Sequence, residues 1–219
     1  MKKNREVENT GQMTGSLPKD RKKQEKAEKF RSSISKEEIN ALDVNSYNGR
    51  ITLVEEERHI NECIKEIRKY DTIGFDTESR PSFKKNSNHH VSLIQLATPE
   101  DVFLFRINKT GFNGELIKLF EDSSITKVGV SIHDDISRLK ALSDFNPQNF
   151  LELQNLTDEY GIESNSLRKL AAIILGFRIS KSQQLSNWEA DKLTENQLIY
   201  AATDAWVSLE IYNKLTLMN

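Results

Sequence analysis

The sequence predicts an α/β domain, a mixed sheet flanked by helices, from three observations. Three apolar β-rich runs follow one another over short links, strand-like and helix-like patterns then alternate, and a long helical pattern closes the chain. Ile51–Val54 reads as a short strand, and Glu55–Tyr70 as a helix with Ile60, Cys63, Ile64 and Ile67 on one face. Thr72–Glu78, Val91–Ala97 and Asp101–Ile107 are the three β-rich runs. Thr98-Pro99-Glu100 has the length of a hairpin link. Asn113–Glu121 reads as helix, Lys127–Ile132 as a buried strand, Asp134–Leu142 as helix and Leu151–Leu153 as a short strand. Ser166–Leu175 is helical and stops at Gly176. The final helix runs from about Thr194, its N-cap, to Leu217.

The 219 residues suffice for one domain and a tail. Residues 1–40 carry eight lysines, three arginines and seven acids, a net +4, and leave −6 on the rest of a chain whose total is −2. Only eight of those forty residues are apolar, too few to offset chain entropy by burial, so residues 1–45 are expected to form a charged, disordered or loosely helical tail before a domain at 46–219. A basic arm touching nucleic acid is the functional alternative for the tail. No apolar run approaches the roughly 20 residues of a bilayer-spanning helix. The basic start Met1-Lys2-Lys3-Asn4-Arg5-Glu6 leads into no apolar stretch, as a secretory signal would, so the expected location is cytoplasmic. The lone Cys63 can form neither an intrachain disulfide nor a thiolate zinc site. With 31 basic against 33 acidic residues, the chain also lacks the positive field of a protein that coats duplexes.

The chemistry-bearing residues are acids. In Ile73-Gly74-Phe75-Asp76-Thr77-Glu78 an apolar strand acquires two carboxylates, and residues i and i+2 of a strand share a face about 6.6 Å apart. Two anions there repel each other and lose hydration, which a divalent cation with oxygen ligands would relieve; the plain alternative is a strand end emerging into water. Ser131-Ile132-His133-Asp134-Asp135 lies where a strand gives way to a helix, a position where one of the acids would serve as N-cap. Tyr200 and Asp204 stand at i and i+4 of the last helix, on one face. Leu198, Ala202, Ala205, Leu209 and Tyr212 form that helix's apolar stripe and put Asp204 on its edge.

Phe75-Asp76-Thr77-Glu78, Lys127-Val128-Gly129-Val130-Ser131-Ile132-His133-Asp134-Asp135 and Tyr200-Ala201-Ala202-Thr203-Asp204-Ala205 together resemble the three exonuclease motifs of the DEDD superfamily. The Tyr-x-x-x-Asp spacing resembles its tyrosine branch, which includes Werner-type exonuclease domains and ribonuclease D. Leu93-Ile94-Gln95-Leu96-Ala97 and Gln184-Leu185-Ser186-Asn187-Trp188-Glu189 are similar to the Werner-type and stand-alone bacterial members, so the resemblance covers roughly residues 50–217. It implies an RNase H-like fold and removal of nucleotides from a free 3′ end of nucleic acid, with two divalent ions, Mg²⁺ or Mn²⁺, as cofactors. It makes Asp76, Glu78, Asp135 and Asp204 metal ligands and Tyr200 the group that orients water. Asp135 is chosen over Asp134 because the family's aspartate stands six residues after the glycine matching Gly129. Thr77 and Ser131 fall at positions implied to contact substrate.

Phosphodiester hydrolysis asks for the same set: two ions about 3.5–4 Å apart activate water and neutralise growing charge, and four carboxylates balance them. His89, His90, Lys84, Lys85, Arg178 and Lys181 are candidates for phosphate contact or plain surface; Trp188 is expected in core packing at the start of the last helix, with stacking on a base as the alternative, and Trp206 in the core or at its edge. The chain has no room for a polymerase or helicase domain, so a stand-alone enzyme is expected, with DNA favoured over RNA by the Werner-like motifs. The rival is a non-catalytic nucleic-acid-binding or adaptor protein on the same fold, whose mark would be a missing acid.

Overall fold

The computed structural model describes Lys26, residues 29–80 and residues 90–218. Its centre is a six-stranded mixed sheet in the order β1-β4-β3-β2-β5-β6, built from β1 (Arg50–Val54), β2 (Thr72–Ser79), β3 (Val91–Ala97), β4 (Asp101–Phe105), β5 (Thr126–Gly129) and β6 (Phe150–Glu152). The antiparallel run β2-β3-β4 is the expected hairpin series, and β1, β5 and β6 join it in parallel pairings. β3 and β4 are buried along their whole length because helices cover both faces.

One face packs on α2 (Ile60–Ile67), α4 (Gly114–Phe120) and α5 (Ile132–Lys140). Its centre is aromatic: Phe75 meets Phe120 and Phe150 edge-on at 5.6 and 5.4 Å between ring centroids. The other face carries α8 (Glu195–Thr216), backed by α6 (Leu153–Asp158), α7 (Leu167–Leu170) and the π-helical turn Ala171–Leu175, where Gly176 at φ 82° stops the chain. Thr194 caps α8 in a reciprocal box with Gln197, as its sequence position predicts. α8 does not have one wet face: Ala201 to Ala205 are all buried, because the helix lies between the sheet and the outer helices.

Some boundaries differ from the expected ones. The Glu55–Tyr70 helix opens with a 3₁₀ turn, Glu57–His59, and β4 ends at Phe105, from where α3 (Ile107–Thr110) turns the chain away. Residues 29–45, expected in the tail, pack on the domain. α1 (Lys36–Ala41) has a capping box between Ser35 and Glu38, and Ile34 and Ile39 are buried against Ala172. Beyond it Val44 pairs with Arg178, whose backbone accepts from Asn45 N–H at 2.9 Å and donates to the Asp43 carbonyl at 2.9 Å. Charge hides this segment in the sequence, since the apolar residues that dock it, Phe30, Ile34, Ile39 and Leu42, are scattered among charged and polar ones. Lys26 pairs with Glu159 at 3.0 Å, whereas residues 1–25, 27 and 28 of the expected tail, and His89, Lys84 and Lys85, lie outside the described residues. Among the described residues no helix is long and apolar enough to cross a membrane.

Candidate active site

Alternation along β2 sends Asp76 and Glu78 to the α8 face and Thr77 to the opposite one. α8 comes unusually close there. A Cβ placed on Gly74 would stand 2.0 Å from the Ala205 carbonyl oxygen, so only glycine allows the helix to lie on the strand, and that contact sets Asp204 beside Asp76. Single carboxylate oxygens of Asp76, Glu78 and Asp204 lie within 4.8 Å of one another. A register shift after Glu78 marks a bulge at the end of the strand.

Asp135 arrives from the other face. β5 runs parallel to β2, so the chain leaves it at the same end of the sheet, turns through Ser131 in the left-handed region (φ 62°) and starts α5. Neither Asp134 nor Asp135 caps that helix, contrary to the expected N-cap. The Glu152 carboxylate does, accepting from Ile132 N–H at 2.9 Å and also from Gln154 N–H at 3.2 Å. Asp134 points into water, its side chain 71% exposed, whereas Asp135 is buried. Thr77, expected at the substrate, is buried, and its hydroxyl donates to Asp135 Oδ1 at 2.6 Å. Arg138, one turn further on, approaches the same oxygen at 3.3 Å.

The Tyr200 ring packs 6.1 Å from that of Trp188, which is fully buried as expected. Trp188 belongs to a loop tied down by Arg106, a buried guanidinium that donates to Glu55 and the Asp191 carbonyl at 2.8 Å each and to the Ala190 carbonyl. Trp206 stacks on Phe177 at the core's edge. Arg178 is structural, its Nε donating to the Leu42 carbonyl, while Lys181 lines a small cavity beside Tyr200 together with Arg168. Arg138, Glu152 and the 42–47 segment went unseen in the sequence. Arg138 alone had a signal, its i+3 spacing from Asp135.

The electrostatics are those of anions short of a counter-charge. Burial, then the charges of Asp204, Asp135 and Glu78, hold the Asp76 carboxyl well above its ordinary range. Glu78 is raised by burial and by Asp204 and Asp135, and Asp204 is raised by burial with relief from the Tyr200 hydroxyl. Burial also raises Asp135, against the hydrogen bond from Thr77 and the charge of Arg138. Tyr200 is pushed far up by burial and by the three acids, so its hydroxyl stays protonated. Among the described residues none of Asp76, Glu78 and Asp204 forms an ion pair. An all-oxygen, highly anionic cluster of this kind fits a hard divalent cation.

A family model described as a 3′-5′ exonuclease matches residues 51–219. The chain belongs to the 3′-5′ exonuclease family. It is 38% identical over 151 residues to the bifunctional 3′-5′ exonuclease/ATP-dependent helicase WRN of Mus musculus, a match covering 66% of this chain and 11% of that protein. It is 34% identical over 161 residues to the exonuclease 3′-5′ domain-containing protein 2 of Homo sapiens, covering 67% of this chain and 25% of that one. The chain thus spans a quarter or less of these two curated relatives. Among solved structures, the Nibbler exonuclease domain of Aedes aegypti gives a TM-score of 0.71 at 27% identity over 80% of this chain and 92% of that chain. RNase D of Escherichia coli, described as an exoribonuclease involved in structured RNA processing, gives 0.69 at 25% identity over 78% and 45%. The mixed sheet flanked by helices is the RNase H-like fold of these exonucleases.

Proposed function

We propose that the chain removes nucleotides hydrolytically from the 3′ end of a nucleic-acid strand, with Asp76, Glu78, Asp135 and Asp204 holding two divalent ions and Tyr200 orienting the attacking water. The observation that carries this reading is the meeting of Asp76, Glu78 and Asp204 oxygens within 4.8 Å, with no ion pair from a described residue to balance them. Asp76, Glu78 and Asp204 would hold one ion, and Asp76 with Asp135, whose charge is felt at Asp76, would hold the second. Mg²⁺ or Mn²⁺ bound there would supply the Lewis acidity and charge neutralisation that phosphodiester cleavage needs.

The protein's own groups then divide the work. The Tyr200 hydroxyl, protonated throughout the neutral range, is a donor and acceptor that fixes the line of attack but does not take the proton as a base. Its ring is held by Trp188, and Trp188 by the loop that Arg106 clamps, so the hydroxyl is fixed in place before substrate arrives. Thr77 and Arg138 keep Asp135 anionic and oriented. Ser131, exposed at the start of α5 in a strained backbone conformation, remains open to the strand.

The test is an end-labelled strand, DNA and RNA in parallel, with Mg²⁺ or Mn²⁺. Mononucleotides should appear from the 3′ end, EDTA should stop the reaction, and Asp76→Asn should abolish it in a folded protein. DNA is the strand favoured by the motif resemblance, and faster removal from RNA would reverse that choice. Cutting of a closed circle would show an endonuclease, and binding with no cleavage would show the adaptor.

A further inference from the structure

Gln95 is out of place in the middle of β3. On its face of the sheet, three of its neighbours are buried apolar residues: Leu93 and Ala97 two positions away along the strand, and Leu104 paired with it on β4. The Gln95 side chain is fully buried, yet among the described residues neither its Oε1 nor its Nε2 has a hydrogen-bond partner. A buried amide without partners weakens a fold, and an apolar residue of the same volume would fill the place without that penalty. Packing therefore does not account for the carboxamide.

Its fourth neighbour is Asp76. β2 and β3 run antiparallel and pair Asp76 directly with Gln95, so the two side chains rise from the same face of the sheet, with Cβ atoms about 4.5–5.5 Å apart. That face is the one where oxygens of Asp76, Glu78 and Asp204 converge beneath α8. The Asp76 carboxylate accepts from the Thr77 backbone N–H, which leaves lone pairs free beside the amide. An ionised carboxylate only accepts, so the NH₂ end of Gln95 is the end that suits it. A neutral donor also orients an acid without cancelling the negative charge that a cation needs, which lysine or arginine at position 95 would do.

We infer that Gln95 is a positioning residue for the metal site, its Nε2–H donating to the Asp76 carboxylate when Asp76 holds a divalent cation and so fixing the direction of the Asp76 oxygens. This rests on the exonuclease reading above, which makes Asp76 a ligand. The carboxamide is then unfavourable in the metal-free protein and favourable in the loaded one. That opposition separates it from an ordinary core residue, whose removal lowers stability in both states.

The experiment titrates Mn²⁺ calorimetrically into the EDTA-treated full chain and into Gln95→Met, which nearly keeps the volume and removes both amide atoms. The variant should bind Mn²⁺ about 10–100-fold more weakly, the usual loss when the hydrogen-bond partner of a metal ligand is removed. Without metal it should melt at or above the wild-type temperature, because two unpartnered polar atoms are gone. Gln95→Leu repeats both measurements with a different shape. Leu104→Met, on the side of Gln95 away from Asp76, alters the packing but keeps the amide and should bind Mn²⁺ as the wild type does. Unchanged Mn²⁺ affinity in folded Gln95→Met and Gln95→Leu would overturn the inference and leave the exonuclease reading standing. So would metal-free melting well below wild type in both variants, since the amide would then be structural, or an equal loss of affinity in Leu104→Met. Wild-type protein that binds no Mn²⁺ would overturn the inference together with the metal site on which it rests.

Discussion

Tyr200→Phe keeps the ring against Trp188 and removes only the hydroxyl. Orienting groups of this kind contribute about 100-fold or more, so kcat should fall by about that factor while KM and metal titration change little. Unchanged kcat would make Tyr200 a packing residue of α8. Thr77→Val tests the opposite side of the strand. It removes a 2.6 Å hydrogen bond that holds the Asp135 pKa down, so the acid limb of the kcat/KM profile should move to higher pH while the alkaline limb stays. An unmoved acid limb would detach Asp135 from the rate. At this scale much of the site is legible in the sequence, since period-2 spacing pairs Asp76 with Glu78 and i,i+4 spacing pairs Tyr200 with Asp204. Asp135 needed the family register, because two adjacent acids at a helix start look alike until one is buried. The bond from Thr77 to Asp135 is not legible, because a motif position says nothing about which neighbour its side chain meets across the strand. Val44 and Asn45 carry no local signal at all, as their partner Arg178 is far along the chain.

Elements with their own periodicity are the ones the sequence reveals. The strands flanking the Thr98-Pro99-Glu100 turn and the capped C-terminal helix stand where expected, whereas α1 hides among charges and shows only once Ile39 meets Ala172. Its docking makes a prediction that composition alone would reverse. Removing residues 1–25 should leave the melting temperature in place, but removing residues 1–45 exposes the surface that Ile34 and Ile39 cover. Burying two such side chains contributes roughly 3 kcal/mol, a fall of about 5–10 °C for a domain of this size. Equal melting temperatures for the two truncations would show that α1 contributes nothing to stability. The π-helical turn at Ala171–Leu175 was not legible, because it continues an apolar helical pattern and differs only in how its backbone bonds close.

For the whole molecule, the clustered acids couple stability to pH and to divalent ions. Folding raises the pKa of Asp76, Glu78, Asp135 and Asp204 above ordinary carboxylate values, with Glu78 reaching about 9. From about pH 4 upward the folded state therefore binds more protons than the unfolded one, and stability falls as pH rises through that window. In EDTA the melting temperature should drop between about pH 5 and pH 9. Mn²⁺ should restore it most at the alkaline end, where the ligands are ionised. Asp76→Asn removes one charge from the cluster and should flatten the decline. A melting temperature independent of pH in EDTA would mean that the acids are not electrostatically coupled.

Gly74 makes folding and catalysis separable by genetics. A library of substitutions across β2 and α8 could be sorted twice, once for folded protein and once for strand degradation. Neutral replacements of Asp76, Glu78 and Asp204 should pass the first sort and vanish in the second, since the scaffold gains from losing repulsion. Any side chain at Gly74 should vanish in both, because it strikes the backbone of Ala205 and overpacking of this kind costs roughly 1–3 kcal/mol or more. Recovery of folded Gly74→Ala at wild-type yield would show that α8 can lift from the strand, and its residual nuclease rate would then measure how far Asp204 had moved.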